Sequence, residues 1–280
     1  MAATDDRKRL DLTDGNADQI HKGRKMDMKK LMRSFAICFS MYSRIPMPRT
    51  KWEDDSMRYV FCFFPLIGLV IGILQAGWFW AAERFAVPSL LYAAVASVLP
   101  ILITGGIHLD GYMDTCDALF SYGDRDKKLE IMKDPHTGAF AVIYCGVYLL
   151  LLAGFFAGLY QAGSWIKMAV VGVGYLLSRT VCGLATVWMP CAKNSGLAHM
   201  FQNNADRKTA KIALTIWFVG LLCLLGFLSL QTALFAVSFI GLAVIAFISM
   251  TKKQFGGITG DLAGFLLQIC ELLILLAAMI

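Results

Sequence analysis

Apolar residues gather into long blocks separated by short polar breaks, and the blocks have the length of membrane-crossing helices. A helix needs about 20 consecutive apolar residues to span a bilayer. By that measure seven segments qualify, at 59–83, 88–105, 138–160, 164–190, 211–230, 232–250 and 258–280. An eighth apolar stretch, Leu31–Met47, is short and is interrupted by Arg44 and Pro46, which predicts a re-entrant or interfacial helix in place of a span. The expected fold class is all-α: a polytopic membrane helical bundle of about seven spanning helices, occupying 31–280 as one domain.

Composition supports that reading. The chain is 58% hydrophobic and only 16% charged, more apolar and less charged than soluble domains usually are. Charge then divides the chain. Of the 26 Lys and Arg, nine fall within residues 1–33. Residues 1–30 are predicted to be a disordered cytoplasmic tail, and such a basic tail is suited to anionic lipid. No signal-peptide shape follows the early charges. No face interleaves basic and aromatic residues as nucleic-acid binders do, so the expected partner is the lipid bilayer and not nucleic acid. The eight cysteines lie scattered, without a C-x-x-C pair, and most read as small buried apolar side chains.

The charge distribution also sets an expected orientation. With the N-terminus in the cytoplasm and Leu31–Met47 not crossing, segments 1–58, 106–137, 191–211 and 251–257 hold 13, 4, 4 and 2 Lys/Arg, which is 23 of 26 on one side. All the long polar loops then face the cytoplasm.

One of these loops begins with "GGIHLDGYMDTCDALF", Gly105 to Phe120. Asp110, Asp114 and Asp117 stand at i, i+4 and i+7, on one face of a helix. Three carboxylates so placed repel one another unless a cation neutralises them. Mg²⁺ is bound by a few carboxylates together with substrate phosphate oxygens. The pattern therefore suggests a metal-held diphosphate; a solvated acidic turn is the plain alternative. His108, two residues from Asp110, is a candidate to move a proton or to orient a carboxylate. Asp124, Arg125, Asp126, Lys127, Lys128 and Glu130 read mostly as a solvated face.

In "LEIMKDPHTGAF", Leu129 to Phe140, Glu130 and Asp134 again stand at i, i+4 and could face the first set. Lys133 can hold phosphate as a point charge, and His136 reads equally as a phosphate contact, a base or a plain loop histidine. "FGGITGDLAG", Phe255 to Gly264, opens a helix with Gly256, Gly257 and Gly260, where backbone amides suit phosphate; Asp261 adds a carboxylate. Arg179 and Glu271 lie deep in apolar runs and need partners. They are either a substrate-facing cation and its surroundings or a structural Arg–carboxylate pair.

Together these segments strongly resemble the adenosylcobinamide-GDP ribazoletransferase family, also called cobalamin synthase. "SRIPMP" with "FPLIGLVIG" resembles its N-terminal section, the two acidic segments its central motifs, and "FGGITGDLAG" its C-terminal signature. The match runs in order from about Phe35 to the C-terminus. It implies a membrane enzyme of the nucleotide-loop assembly of vitamin B12, which joins adenosylcobinamide-GDP to α-ribazole or its 5′-phosphate and releases GMP, with Mg²⁺. By the resemblance, Asp110, Asp114 and Asp117 are the metal-binding acidic motif; Glu130, Lys133 and Asp134 the second motif; and Gly257, Gly260 and Asp261 the third. The domain 31–280 is then catalytic and its site faces the cytoplasm at the cell membrane. A homo-oligomer, or a complex with other cobalamin-assembly enzymes, is left open. Three positions depart from the family pattern: Ala118 for Gly, Pro135 before His136, and Gln268 where an acidic residue is expected.

Other readings share the same electrostatics. A CDP-alcohol phosphotransferase needs D-x-x-D-G-x-x-A-R, and "DGYMDTCD" fails it. Intramembrane prenyltransferases carry two strong Asp-rich motifs, and the second here is weak. A cation transporter would place its carboxylates near the bilayer midplane, not at one edge.

Overall fold

Among residues 28–50, 57–192 and 206–280, which the computed structural model describes, the chain forms ten helices and no strand. The predicted disordered tail falls mostly outside the described residues. In chain order the helices are α1 Met28–Tyr42, α2 Val60–Arg84, α3 Ser89–Thr104, α4 Ile107–Phe120, α5 Arg125–Ile131, α6 Ala139–Gln161, α7 Trp165–Trp188, α8 Arg207–Leu228, α9 Leu230–Gln254 and α10 Gly260–Met279. Six of them, α2 and α6 to α10, are each long and apolar enough to cross a membrane. Helix α1 has 15 residues and packs against α2.

The expected span at 88–105 is realised differently. Helix α3 has 16 residues, so it rises only about 24 Å. It counts as a seventh span only together with α4, from which it is bent by 97°. The bend is built by Gly105 and Gly106, both left-handed, with φ of 67° and 81°. Gly106 donates its N–H back to Ile101 at 3.0 Å, which closes the end of α3. A side chain at Gly105 would also collide with the Arg44 side chain. The chain thus turns sharply, and α4 runs as a separate 14-residue helix across one end of the bundle.

Helix α7 is the enclosed centre, and α2, α8 and α10 pack around it. Glycines set the closest approach: a Cβ on Gly72 would stand 2.9 Å from the Cα of Gly172. Helices α8 and α9 keep large apolar side chains such as Ile216, Phe227, Leu234 and Leu242 exposed. That outward-apolar face suits a lipid environment. Short connections fall at the end away from α4. At the α4 end, the strand-like residues after α7 and α9 are tied: Ile258 N–H donates to Pro190 at 2.8 Å and Ala192 N–H to Ile258 at 2.9 Å.

Inside the bundle Arg179 and Glu271 form an ion pair at 2.7 Å, with side chains 1% and 5% exposed. Arg179 also donates to the Tyr175 carbonyl at 2.8 Å and the Ser178 hydroxyl at 3.2 Å. Gln268 completes the network. With its amide oriented to suit its neighbours, its NH₂ group donates to Glu271 Oε2 at 3.1 Å and to the Tyr148 hydroxyl at 2.6 Å, and its oxygen accepts from Leu109 N–H at 3.2 Å. Leu109 is in the first turn of α4, where amides lack helical partners. The glutamine at a position expected to be acidic thus caps the acidic helix and links it to α6 and α10.

Candidate active site

Helix α4 lays its carboxylate face beside the start of α10. Two glycines allow this. A Cβ on Gly111 would lie 2.8 Å from the Cα of Asp261, and one on Gly264 would lie 3.1 Å from the His108 carbonyl oxygen. The backbones therefore touch, and Asp261 is brought to the carboxylates of α4. The sequence reading took "FGGITGDLAG" only as a phosphate-binding start; the glycine in it that makes the close approach is the last, Gly264. Thr259 caps α10 by accepting the Leu262 N–H at 3.1 Å, and Gly260 has open space around it.

Four carboxylates thereby share one region: Asp110, Asp114, Asp117 and Asp261. Their coupling shows in Asp114, whose carboxyl is pushed up to about 7, first by partial burial and then by Asp110, Asp261 and Asp117. Among the described residues none of the four has an ion-pair partner. Also among them, no three His, Cys, Asp or Glu side chains stand close enough to enclose a metal ion. The carboxylates line a shared face and do not form a closed ligand set. Such a donor set, hard oxygens with unneutralised charge, fits a divalent cation whose other ligands are phosphate oxygens and water. Gly138, which caps α6, leans on Asp117: a side chain there would run into that carboxylate.

His108 is 5% exposed, and its Nε2 has no hydrogen-bond partner. Burial, and then the charge of Arg179, lowers its pKa to about 3. The imidazole is therefore neutral, which favours hydrogen bonding over proton abstraction.

The second acidic motif does not join the first. Helix α5 ends at Ile131, so Asp134 lies beyond it and not on the same helical face as Glu130. Glu130 pairs with Lys127 at 3.0 Å on the surface. Asp134 accepts the His136 N–H at 2.9 Å and stands 2.7 Å from His136 Nδ1. Those hydrogen bonds hold its carboxyl below the usual range. Lys133 is exposed and has no ion-pair partner among the described residues, so it is free to meet phosphate.

One residue read as solvated is buried, and an exposed neighbour also ties two segments. Lys128 is buried and donates to the Leu119 carbonyl at 3.2 Å and to Gln254 Oε1 at 2.9 Å, tying α4 to α9. Arg125 donates to the Ala192 carbonyl at 3.3 Å and lies against Gly256. Gly257 packs closely against backbone: a Cβ there would stand 2.6 Å from Pro190 O and Ala192 N. Arg179, expected to bind substrate, spends its charge on Glu271 inside the bundle, and the structural pair is the reading that the geometry supports.

The cobalamin-5-phosphate synthase family profile matches residues 34–279. The adenosylcobinamide-GDP ribazoletransferase of Lachnoclostridium phytofermentans is 42% identical over 254 residues, covering 90% of this chain and 95% of the relative. The protein of the same name from Clostridium perfringens strain SM101 is 36% identical, covering 87% and 96%. That of a Geobacillus species is 34% identical, covering 85% and 91%. No solved structure matches the chain.

Proposed function

The chain belongs to the cobalamin-5-phosphate synthase family, and on that premise we propose how its acidic edge carries out the family's reaction. It is a multi-pass membrane transferase of cobalamin biosynthesis, an adenosylcobinamide-GDP ribazoletransferase. A ribose hydroxyl that α-ribazole shares with its 5′-phosphate, and so not the 5′ oxygen, attacks the phosphorus on the cobinamide side of the diphosphate. The bond to the bridging oxygen breaks and GMP leaves.

Residues of this chain supply position and charge. Asp110, Asp114, Asp117 and Asp261 are the residues that would hold Mg²⁺, which when bound offsets charge on the diphosphate. A carboxylate of this set takes the proton of that hydroxyl; the enclosed, neutral His108 is less suited to that role. Lys133 and the open start of α10 at Gly260 meet leaving phosphate oxygens. The acidic edge faces the cytoplasm at the cell membrane, a reading supported by the concentration of Lys and Arg on that side.

The observation that carries the site assignment is the convergence of four carboxylates without a cationic partner. Its test is substrate dependence. Purified protein in lipid nanodiscs should release GMP from adenosylcobinamide-GDP only when ribazole or its phosphate is added. Acceptor-independent release would point to a hydrolase instead. Orientation is tested separately by labelling a cysteine introduced near Ala2: modification from outside intact cells would reverse it.

A further inference from the structure

A second feature adjoins the carboxylates. A partly open cavity of about 110 Å³ reaches Gly260 and Asp261, and its walls include Tyr42, Phe61, Phe64 and His108. These rings come from α1, α2 and α4, three separate elements. Tyr42 and His108 lie nearly parallel, with centroids 5.8 Å apart and 16° between planes. Phe64 meets His108 edge-on at 5.7 Å, and its ring is tilted by 48° to that of Tyr42 at 4.6 Å.

The wall is aromatic but not purely apolar. Neither His108 nitrogen has a hydrogen-bond partner among the described residues, and Nε2 is completely enclosed. Nε2 is thus out of a ligand's reach; Nδ1, unpaired but not enclosed, is the nitrogen that a ligand can meet. An acyl chain would offer nothing to it. An engineered cavity of about 150 Å³ takes up benzene. This space is smaller, so only part of a flat ring enters it, and because it is partly open the rest of the ring and its substituent stay outside. The opening is placed for that substituent, because Gly260 has nothing within 4 Å of where a Cβ would stand.

We propose that this cavity is the subsite for the heteroaromatic base of the acceptor nucleoside. The base packs on the Tyr42, Phe64 and His108 rings, His108 pairs with a ring nitrogen, and the ribose passes Gly260 and Asp261 toward the carboxylates. The nucleophilic oxygen is thereby delivered from one side to a diphosphate held on the other. The assignment rests on the transfer reaction proposed above, but it is testable without turnover.

Free benzimidazole is the probe, with the full chain in nanodiscs. It should bind in equilibrium dialysis, and it should inhibit GMP release competitively against ribazole but not against adenosylcobinamide-GDP. Ala263→Leu narrows the cavity from its α10 wall. It should raise the KM for ribazole on the order of tenfold, within the range that base–aromatic stacking supplies, and leave the KM for adenosylcobinamide-GDP within about twofold. His108→Asn, which keeps a hydrogen-bonding group without the ring, should show the same split and guards against a folding defect in the first variant. Benzimidazole binding unchanged in both variants, or equal rises in both KM values, overturns the subsite. If wild-type protein releases no GMP yet binds benzimidazole and both variants lose it, the transfer reading fails while a heteroaromatic site stands.

Discussion

Removing one member of the Arg179–Glu271 pair should destabilise the bundle strongly, whereas removing both should not. The charges are 2.7 Å apart and at most 5% exposed, and Gln268 holds the second oxygen of Glu271. Arg179→Met leaves a buried carboxylate facing only an amide and the Ser178 hydroxyl. Breaking a pair so enclosed costs about 3–5 kcal/mol, while replacing both partners by apolar groups of similar volume is often close to neutral. At roughly 2–4 °C per kcal/mol, the single variant should melt on the order of 10 °C lower. Arg179→Met with Glu271→Met should recover most of that, giving a coupling of at least about 2 kcal/mol in a double-mutant cycle. Equilibrium unfolding in mixed micelles gives the four stabilities, and GMP release gives the four activities. Additive stabilities, or a double variant as stable as wild type whose KM for adenosylcobinamide-GDP alone rises at least tenfold, would refute a structural role and return Arg179 to the substrate.

Further consequences follow from the α4 edge. Gly111→Ala should lower activity more than stability: its Cβ would press on the Asp261 backbone from 2.8 Å, so α4 must shift from α10; turnover and melting of the same preparation decide it. Gln268→Leu uncaps Leu109 and strips a partner from Glu271, and should cost about 1–3 kcal/mol in the same unfolding measurement. Mg²⁺ binding should depend on pH. Without metal, Asp114 titrates at about 7, so below that pH binding must displace a proton and affinity should fall about tenfold per unit; above it the dependence should flatten. A thermal shift induced by Mg²⁺ that is larger at pH 8 than at pH 6 is the expected signature, and equal shifts would count against it.

The spans were readable because lipid imposes one requirement on every segment that crosses it: length and apolarity. That requirement says nothing of how helices bend or pair. The block at 88–105 looked like the others, yet the consecutive left-handed Gly105 and Gly106 turn the chain by 97°. The i, i+4, i+7 spacing correctly placed Asp110, Asp114 and Asp117 on one helix. It could not show that Asp261, more than 140 residues away, joins them, because that depends on the contacts at Gly111 and Gly264. The same spacing argument misplaced Asp134, because α5 ends at Ile131. Arg179 and Glu271 were both recognisable as charges needing partners; that they partner each other depends on how α7 and α10 pack. Gln268 looked like a missing acid, and only the adjacency of Leu109, Tyr148 and Glu271 explains an amide, which donates and accepts at once.

The most direct measurement is product formation by the Asp114→Asn variant. Wild type and variant, each shown to be folded, are reconstituted in nanodiscs with adenosylcobinamide-GDP, α-ribazole and saturating Mg²⁺, and the joined corrinoid and GMP are quantified in one turnover. The expected result is equal amounts of both products from wild type, none from wild type after chelation, and a rate at least about a hundredfold lower from Asp114→Asn, in keeping with lost stabilisation of phosphoryl charge. Near-normal turnover by Asp114→Asn would contradict the carboxylate site.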